Sequence, residues 1–185
     1  SNRYMLEALI EKWGFEVVDF GITVDDPKIT SDVMAQASRE ADAIITTGGV
    51  SVGEEDHVKA VVEPLGHIVL WRIAIKPGKP FAFGDVMGTP FLGLPGNPVS
   101  AFVTALIIAR PFLFDCQGIN HPDIVPLRQI ALFDVMGGPR EVYHRIRSGS
   151  DGAEIFGQQS SGALYSTCWG DGMAMQTPFE DIAKG

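Results

Sequence analysis

Three loops in this chain carry the residue types that anion chemistry requires. The apolar, β-branched run Ala43 to Thr47 feeds directly into Gly48-Gly49-Val50-Ser51-Val52-Gly53, and a helical pattern follows within a few residues. In a strand, glycine loop, helix arrangement the glycines let the backbone approach a ligand. Exposed N–H groups and the helix N-terminus attract an anion, and Ser51 adds a hydroxyl. The loop lacks the Lys-Ser/Thr of a Walker motif and the GxGxxG spacing of a dinucleotide fold, and a tight structural turn uses the same glycines. A second loop places Arg72, Lys76 and Lys79 within eight positions around Pro77-Gly78, a cationic exception in an acidic chain. Two lysines on a rigid turn can face one anionic pocket, although a solvated turn with surface lysines has the same composition. The third is Pro95-Gly96-Asn97-Pro98, where two prolines and a capping Asn lead into a helix start, which is also a site for an anion.

Carboxylates accompany the loops. Asp25 follows a strand-like run ending at Gly21, and Asp56 follows the glycine loop, so each could hold Mg²⁺ or a ligand hydroxyl. Asp26, before Pro27, reads as a turn-shaping residue, and Glu54 and Glu55 suit a helix N-terminus. His57, His67, His121 and His144 show no metal-ligand spacing. Ser160 and Ser161 read as turn residues by composition. Arg145 and Arg147 share a strand face by alternation, placed either to close over an anion or to pair with an acid.

The elements that must position these residues alternate. Met5, Leu6, Leu9, Ile10 and Trp13 give a first helix, Glu16 to Phe20 a strand, residues 30 to 41 a second helix, and Ala43 to Thr47 a buried strand. Glu55 to Leu65 reads as a third helix and Ile68 to Ile75 as a strand. Phe81 to Phe83 and Phe91 to Leu94 form a hairpin, and an apolar helix runs from Pro98 to about Phe114. The alternation predicts an α/β domain over residues 1 to 117, built on a parallel sheet covered on both faces. The three loops then converge at one sheet edge, outside the carboxyl ends of the strands. After Cys116, Gly118, Pro122 and Pro126 punctuate a linker. Residues 118 to 185 read as a small all-β domain of short strands without a helical stripe.

Composition narrows the function classes. The 185 residues are 45% apolar and 20% charged, enough to bury a core. A net charge of -9 would repel a polyphosphate backbone and argues against nucleic acid as a general partner. Two cysteines, Cys116 and Cys168, fit neither a disulfide framework nor a zinc site, so a reducing cytoplasm is expected. The apolar run from Ala101 to Ala109 is far short of a bilayer span. The chain enters its first helix at once after Ser1, which reads as the interior of an α/β domain and suggests a fragment.

Taken together, Thr46-Thr47-Gly48-Gly49-Val50-Ser51-Val52-Gly53 with Asp56, Lys76-Pro77-Gly78-Lys79-Pro80, and Leu94-Pro95-Gly96-Asn97-Pro98-Val99-Ser100 resemble the molybdopterin molybdenumtransferases. This is the MoeA family, with the gephyrin E domain among its eukaryotic relatives. The resemblance implies a MoaB/Mog-like molybdopterin-binding domain lacking its first strand, followed by the family's small barrel-like β domain. The implied reaction is insertion of molybdate into adenylylated molybdopterin with Mg²⁺ present and AMP released. By position it implies catalytic roles for Asp25, Asp56, Lys76 and Lys79, with the two aspartates as metal ligands. It implies ligand contacts from Thr47, Gly48, Gly49, Ser51, Gly53, Arg72, Pro95, Gly96, Asn97, Pro98, Arg145 and Ser161. It further implies a homodimer once upstream domains are present, contact with the molybdopterin adenylyltransferase, and no nucleic-acid or membrane partner. Two other readings stay open: the adenylyltransferase of the same pathway, against which the extra β domain argues, and a non-catalytic ligand- or peptide-binding scaffold.

Overall fold

The computed structural model describes residues 1–50, 57–120 and 124–185, and for His57 the backbone alone. Ser51, Gly53 and Asp56 therefore lie outside the described residues. Helix α1 (Asn2–Lys12) forms on the 3.6-residue stripe read from the sequence. It buries Leu6 and packs Met5, Leu9, Ile10 and Trp13 against Phe81, Leu92 and Leu94. Helix α2 (Pro27–Glu40) starts three residues before the expected position 30, where Asp26 Oδ1 accepts from the Ile29 N–H at 2.9 Å with Pro27 in the first turn, so Asp26, read as a turn residue, is the cap of the helix. Met34 and Ala37 of α2 enter a second cluster with Ile44, Val58, Val61, Val62, Val86 and Phe91.

The central sheet comprises β1 (Ile44–Thr47), β2 (Gly66–Trp71), β4 (Ala82–Val86) and β5 (Thr89–Leu94) in the order β1-β5-β4-β2, with helix α3 (His57–Leu65) leading into β2. It is mixed, not parallel throughout. β1 and β5 are parallel, whereas β4 runs antiparallel to both of its neighbours. The reason is the two-residue turn Met87-Gly88, whose positive φ values of 52° and 85° suit a tight hairpin, and a tight hairpin can only reverse the chain. Two expected strands also differ. The Ile68 to Ile75 run breaks at Arg72, where φ is +76°; its end becomes β3 (Ile75–Lys76) and joins a different sheet. Glu16 to Phe20 forms no ladder with a described residue, because β-branched composition is not enough and a strand still needs a partner. Arg3 of α1 pairs with Asp19 and pins this run to the helix.

Helices α4 (Pro98–Thr104) and α5 (Arg110–Cys116) are one continuous rod joined by a π-helical turn at Ala105–Ala109. Pro111 explains the turn: it has no N–H for the carbonyl four residues earlier, and its ring crowds that carbonyl, so the ladder is locally rewound. The apolar stretch is thus longer than the Ala101 to Ala109 run read from sequence. At 19 residues it is long and apolar enough to cross a membrane by those measures alone. Its Val99, Ala101, Val103, Ala105 and Ala109 are buried in the protein, as in a core helix.

The second sheet orders β3, β6 (Glu141–Ser148) and β7 (Ala153–Ile155), with β8 (Gly172–Gln176) also pairing β6. It borrows β3 from before residue 118, with Lys76 in parallel register with Val142. Among the short strands expected here, the alternating run Gln129 to Phe133 is reduced to a single bridge between Ala131 and Ala153. Contrary to the expectation of no helix in this half, a five-residue helix, α6 (Tyr165–Trp169), precedes β8. The chain as a whole is a mixed α/β fold with two sheets.

Inside the second sheet, Gln176 Nε2 donates to the Glu180 and Val135 carbonyls at 2.8 and 3.2 Å, which turns Oε1 toward His144 Nε2 at 2.9 Å. His144 therefore carries its proton on Nε2, and Nδ1 is left buried with no partner among the described residues. Burial, with Arg145 and Lys76 nearby, holds the imidazole below the usual histidine range. The unfolded chain binds this proton more readily than the native one. Stability from neutral His144 is full above about pH 6.5 and is lost as pH falls from there toward the lowered native value. We predict that urea midpoints measured across pH 5 to 8 fall on the acid side in the native sequence, and that His144→Gln loses part of that slope; identical slopes would remove His144 as the cause.

Candidate functional site

The two parallel strands β1 and β5 end side by side. Their ladder runs from Ile44 opposite Phe91 to Thr47 opposite Leu94, and the Gly48 N–H extends it by donating to the Leu94 carbonyl at 3.0 Å. Parallel register forces both chains to leave the sheet at the same edge, so Gly48-Gly49 and Pro95-Gly96-Asn97 are neighbours. They touch: a Cβ placed on Gly96 would sit 3.5 Å from the Gly48 Cα. The Thr47 hydroxyl donates to the Pro95 carbonyl at 3.0 Å and accepts from Asn2 Nδ2 at 2.9 Å, while Asn2 Nδ2 also donates to the Gly96 carbonyl at 2.8 Å. Two buried acceptors near this junction, Asn2 Oδ1 and Thr46 Oγ1, have no partner among the described residues. Buried polar atoms left so are costly, which makes the junction a place where a polar ligand would be welcomed.

The cationic turn packs against the same helix that Asn97 starts. Gly78, at φ +127°, has its Cβ position 2.7 Å from Thr104 Cγ2 of α4, so only glycine lets the turn come this close. The turn is closed by Arg72 N–H to the Phe81 carbonyl at 2.8 Å and Ile73 N–H to the Lys79 carbonyl at 3.1 Å. Lys76 and Lys79 are exposed, as is Arg72, whose positive φ is a strain that persists only under such closure.

The second half of the chain reaches the site through residues 160 and 161. Ser161 accepts from Asn97 Nδ2 at 3.3 Å through its hydroxyl, and its carbonyl accepts from the Val99 N–H at 3.1 Å. The start of α4 thus has Pro98 without a donor and Val99 already engaged, so it offers an anion less than its sequence implied. Arg145 is the larger surprise. Its side chain is 2% exposed and forms no ion pair with a described carboxylate. Its Nε donates to Ser166 Oγ at 3.1 Å, and weaker contacts reach the Tyr143 and Ser160 carbonyls. Burial lowers its pKa from the usual guanidinium value, yet the group stays charged at neutral pH. Ser166, wholly buried and bonded both to Arg145 and to the Ala163 carbonyl at 2.7 Å, was not legible in the sequence, because the short helix that carries it has no periodic signal. Arg147, expected on the same face, is exposed; it donates to the Trp169 carbonyl at 3.0 and 2.7 Å and stacks on that ring.

A closed circuit therefore runs from the Pro95–Asn97 loop through α4 to the Lys76 turn, along β6 to Arg145, and back through Ser161 to Asn97. A cleft of about 960 Å³ lies elsewhere, between the 14–25 run and the 41–49 segment. Asp25, Thr47, Gly48 and Gly49 line it, whereas Lys76, Lys79, Arg145 and Ser161 do not. The glycine loop is the element common to both. No three Asp, Glu, His or Cys side chains gather as a metal-ligand set among the described residues, and Asp25 is the one described member of the Asp25/Asp56 pair.

With this geometry in hand, likeness to known proteins is informative. Residues 1–115 match a family described as a probable molybdopterin binding domain. A molybdopterin molybdenumtransferase of Haemophilus influenzae is 48% identical over 118 residues, covering 64% of this chain and 29% of that protein. The molybdenum cofactor synthesis protein cinnamon of Drosophila melanogaster is 33% identical over 178 residues, covering 92% of this chain and 30% of that protein. In structure, the chain superimposes over its whole length on a molybdopterin biosynthesis MoeA protein from Pyrococcus horikosii, with a TM-score of 0.83 at 26% identity and 46% of that protein covered. The chain spans about a third of the length of these curated relatives.

The glycine loop yields a prediction of its own. Gly49 sits at φ +69°, and a Cβ there would lie 2.5 Å from Val58 Cγ2 of α3. Gly49→Ala is expected to cost about 2 kcal/mol of unfolding free energy, from strain and overpacking together. Adding Val58→Ala should return the steric part, so the double variant loses less than the sum of the singles in urea titration; strict additivity would show that the contact is not the cause.

Proposed function

We propose, for a chain that belongs to the probable molybdopterin binding domain family, that it serves molybdenum cofactor biosynthesis. Its residues would take part in inserting molybdate into adenylylated molybdopterin with release of AMP. The observation that carries this reading is the convergence of the β1 and β5 loops at one sheet edge, joined through α4 to the Lys76 turn. Molybdate, the pterin phosphate and the phosphoanhydride are all anions, so their approach to one another must be offset by fixed positive charge. Lys76 and Lys79, exposed on a closed turn, are the mobile point charges for this. Arg145 is a buried fixed charge that acts through its field in a low-dielectric surround without touching the ligand. Gly48, Gly49 and Gly96 allow a phosphate to meet backbone N–H groups.

Asp25 and Asp56 are the residues that would hold Mg²⁺, whose contribution when bound is to neutralise charge on the leaving phosphate. Asp25 suits that part by chemistry and by its position on the cleft beside the glycine loop. The sheet built on β6 corresponds in this reading to the barrel-like C-terminal domain of the family, and the run 16–20 to a strand next to the family's first one.

The test is AMP release from adenylylated molybdopterin with and without molybdate. Molybdate-dependent release supports the reading; ATP-dependent adenylylation of molybdopterin would assign the chain to the preceding step, and failure to bind molybdopterin would overturn both. Lys76→Met is expected to lower molybdate-dependent turnover by about 10²-fold or more, as removal of one charge-stabilising donor does elsewhere. Arg145→Met should separate stability from function: a urea midpoint equal to or above the native one, because a buried charge with no carboxylate partner among the described residues is replaced by an unbranched apolar chain, together with about tenfold weaker molybdopterin binding. A large loss of stability with unchanged affinity would make Arg145 a purely structural residue.

A further inference from the structure

We infer that Asn2 is a positioning residue that locks the two ligand loops in mutual register; the inference rests on the functional reading above. The loops are short of side chains that could hold them. Gly48 and Gly49 both have positive φ, Gly96 carries no side chain, and the last ladder bond between the strands is Gly48 N–H to Leu94. Beyond that bond, among the described residues, side-chain contacts tie one loop to the other. Asn2 supplies two of them from one nitrogen, to Thr47 Oγ1 at 2.9 Å and to the Gly96 carbonyl at 2.8 Å.

The direction of the network is set by its acceptors. The Gly96 carbonyl can only accept, so the amide nitrogen of Asn2 faces it; Thr47 receives the second hydrogen and passes its own to the Pro95 carbonyl at 3.0 Å. One side chain thus joins residues 45 and 94 positions away, and each of its two amide hydrogens is used on a different loop. Asn2 is itself held in place because it is the first residue of α1, whose Leu6 and neighbours are packed against Phe81, Leu92 and Leu94 beneath the loops. Core packing is in this way transmitted to Gly48 and Gly96, which have no side chains of their own, in loops whose Val50 and Pro95 are buried. Hydrogen bonds from Asn2 to the loops keep Gly48 and Gly96 at the separation the ligand requires before it arrives, which lowers the ordering cost of binding.

Asn2→Asp is the sharpest variant, since it is nearly isosteric and replaces the two donated hydrogens with a lone-pair-bearing oxygen facing two acceptors. Asn2→Ala removes the group. We expect both to raise amide hydrogen exchange at Gly48, Gly49, Gly96 and Asn97 by about tenfold, the effect of losing one or two net hydrogen bonds. Exchange in α3 and β4 should stay unchanged, and molybdopterin should bind about tenfold more weakly. Thr47→Ser keeps the relay and should show native exchange at these amides; Thr47→Val should match Asn2→Ala in exchange, and the double variant Asn2→Ala with Thr47→Val should be no worse than either alone. Native exchange at these four amides in Asn2→Asp, or exchange raised equally in α3 and β4, would overturn the inference, the second by showing general destabilisation. If the native chain does not bind molybdopterin, the functional reading fails, and exchange at the four amides alone decides whether Asn2 holds the loops.

Discussion

The parallel pairing of β1 with β5 is the constraint on which the rest of this structure depends. Two adjacent parallel strands must leave a sheet at the same edge, so the glycine loop after Thr47 and the proline loop after Leu94 meet although they lie about half the domain apart in sequence. Everything else at the site attaches to that edge. Asn2 reaches it from the start of α1, α4 starts from it at Pro98, and Ser161 closes on it from the second half of the chain. An antiparallel arrangement of the same two strands would send the loops to opposite ends of the sheet.

The second organising contact is the loan of β3 to the second sheet. Arg72 breaks the run that the apolar pattern would have continued, and two residues later the backbone pairs with β6. This places the Lys76 turn between the two sheets and ties its position to both cores, with Gly78 against α4 on one side and Val142 beside Lys76 on the other. Arg145, three residues along β6 from Val142, is brought into the same neighbourhood. A charge buried without a carboxylate partner costs stability that an apolar residue would not, and such costs are usually retained where function requires them. Ser166 and two backbone carbonyls accept from it, and no carboxylate among the described residues pairs with its charge, an arrangement a nearby anion would exploit.

Loops rich in glycine and proline solve one problem and create another. They let a ligand approach the backbone, but they have few side chains of their own with which to stay put. The site answers this with partners from outside the loops: an amide donor from α1, a hydroxyl donor from β1, and Ser161, whose hydroxyl accepts from Asn97 and whose carbonyl accepts from Val99. The partner carbonyls of Pro95 and Gly96 are backbone groups, so the arrangement depends little on the side chains of the loops themselves.

By itself the sequence determined the local pieces, for reasons internal to each. The periodicity of Leu6, Leu9 and Trp13 made α1 a helix, Asp26-Pro27 marked a turn, Phe81 to Phe83 and Phe91 to Leu94 made a hairpin, and the order of three loop motifs pointed to the family. These depend on residues within a few positions of one another, and a one-dimensional pattern records them. Tertiary structure alone decided the rest. Whether Glu16 to Phe20 pairs, which way β4 runs, where the Ile68 to Ile75 run breaks, and that Val99 is engaged by Ser161 are questions about partners distant in the chain. The importance of Asn2 was hidden for the same reason: its sequence position marks it as a helix start, and only folding brings its amide within 3 Å of two loops from 45 and 94 residues away. Ser166 and the burial of Arg145 were equally silent, because alternation along a strand tells which face a residue shares and not what will cover that face.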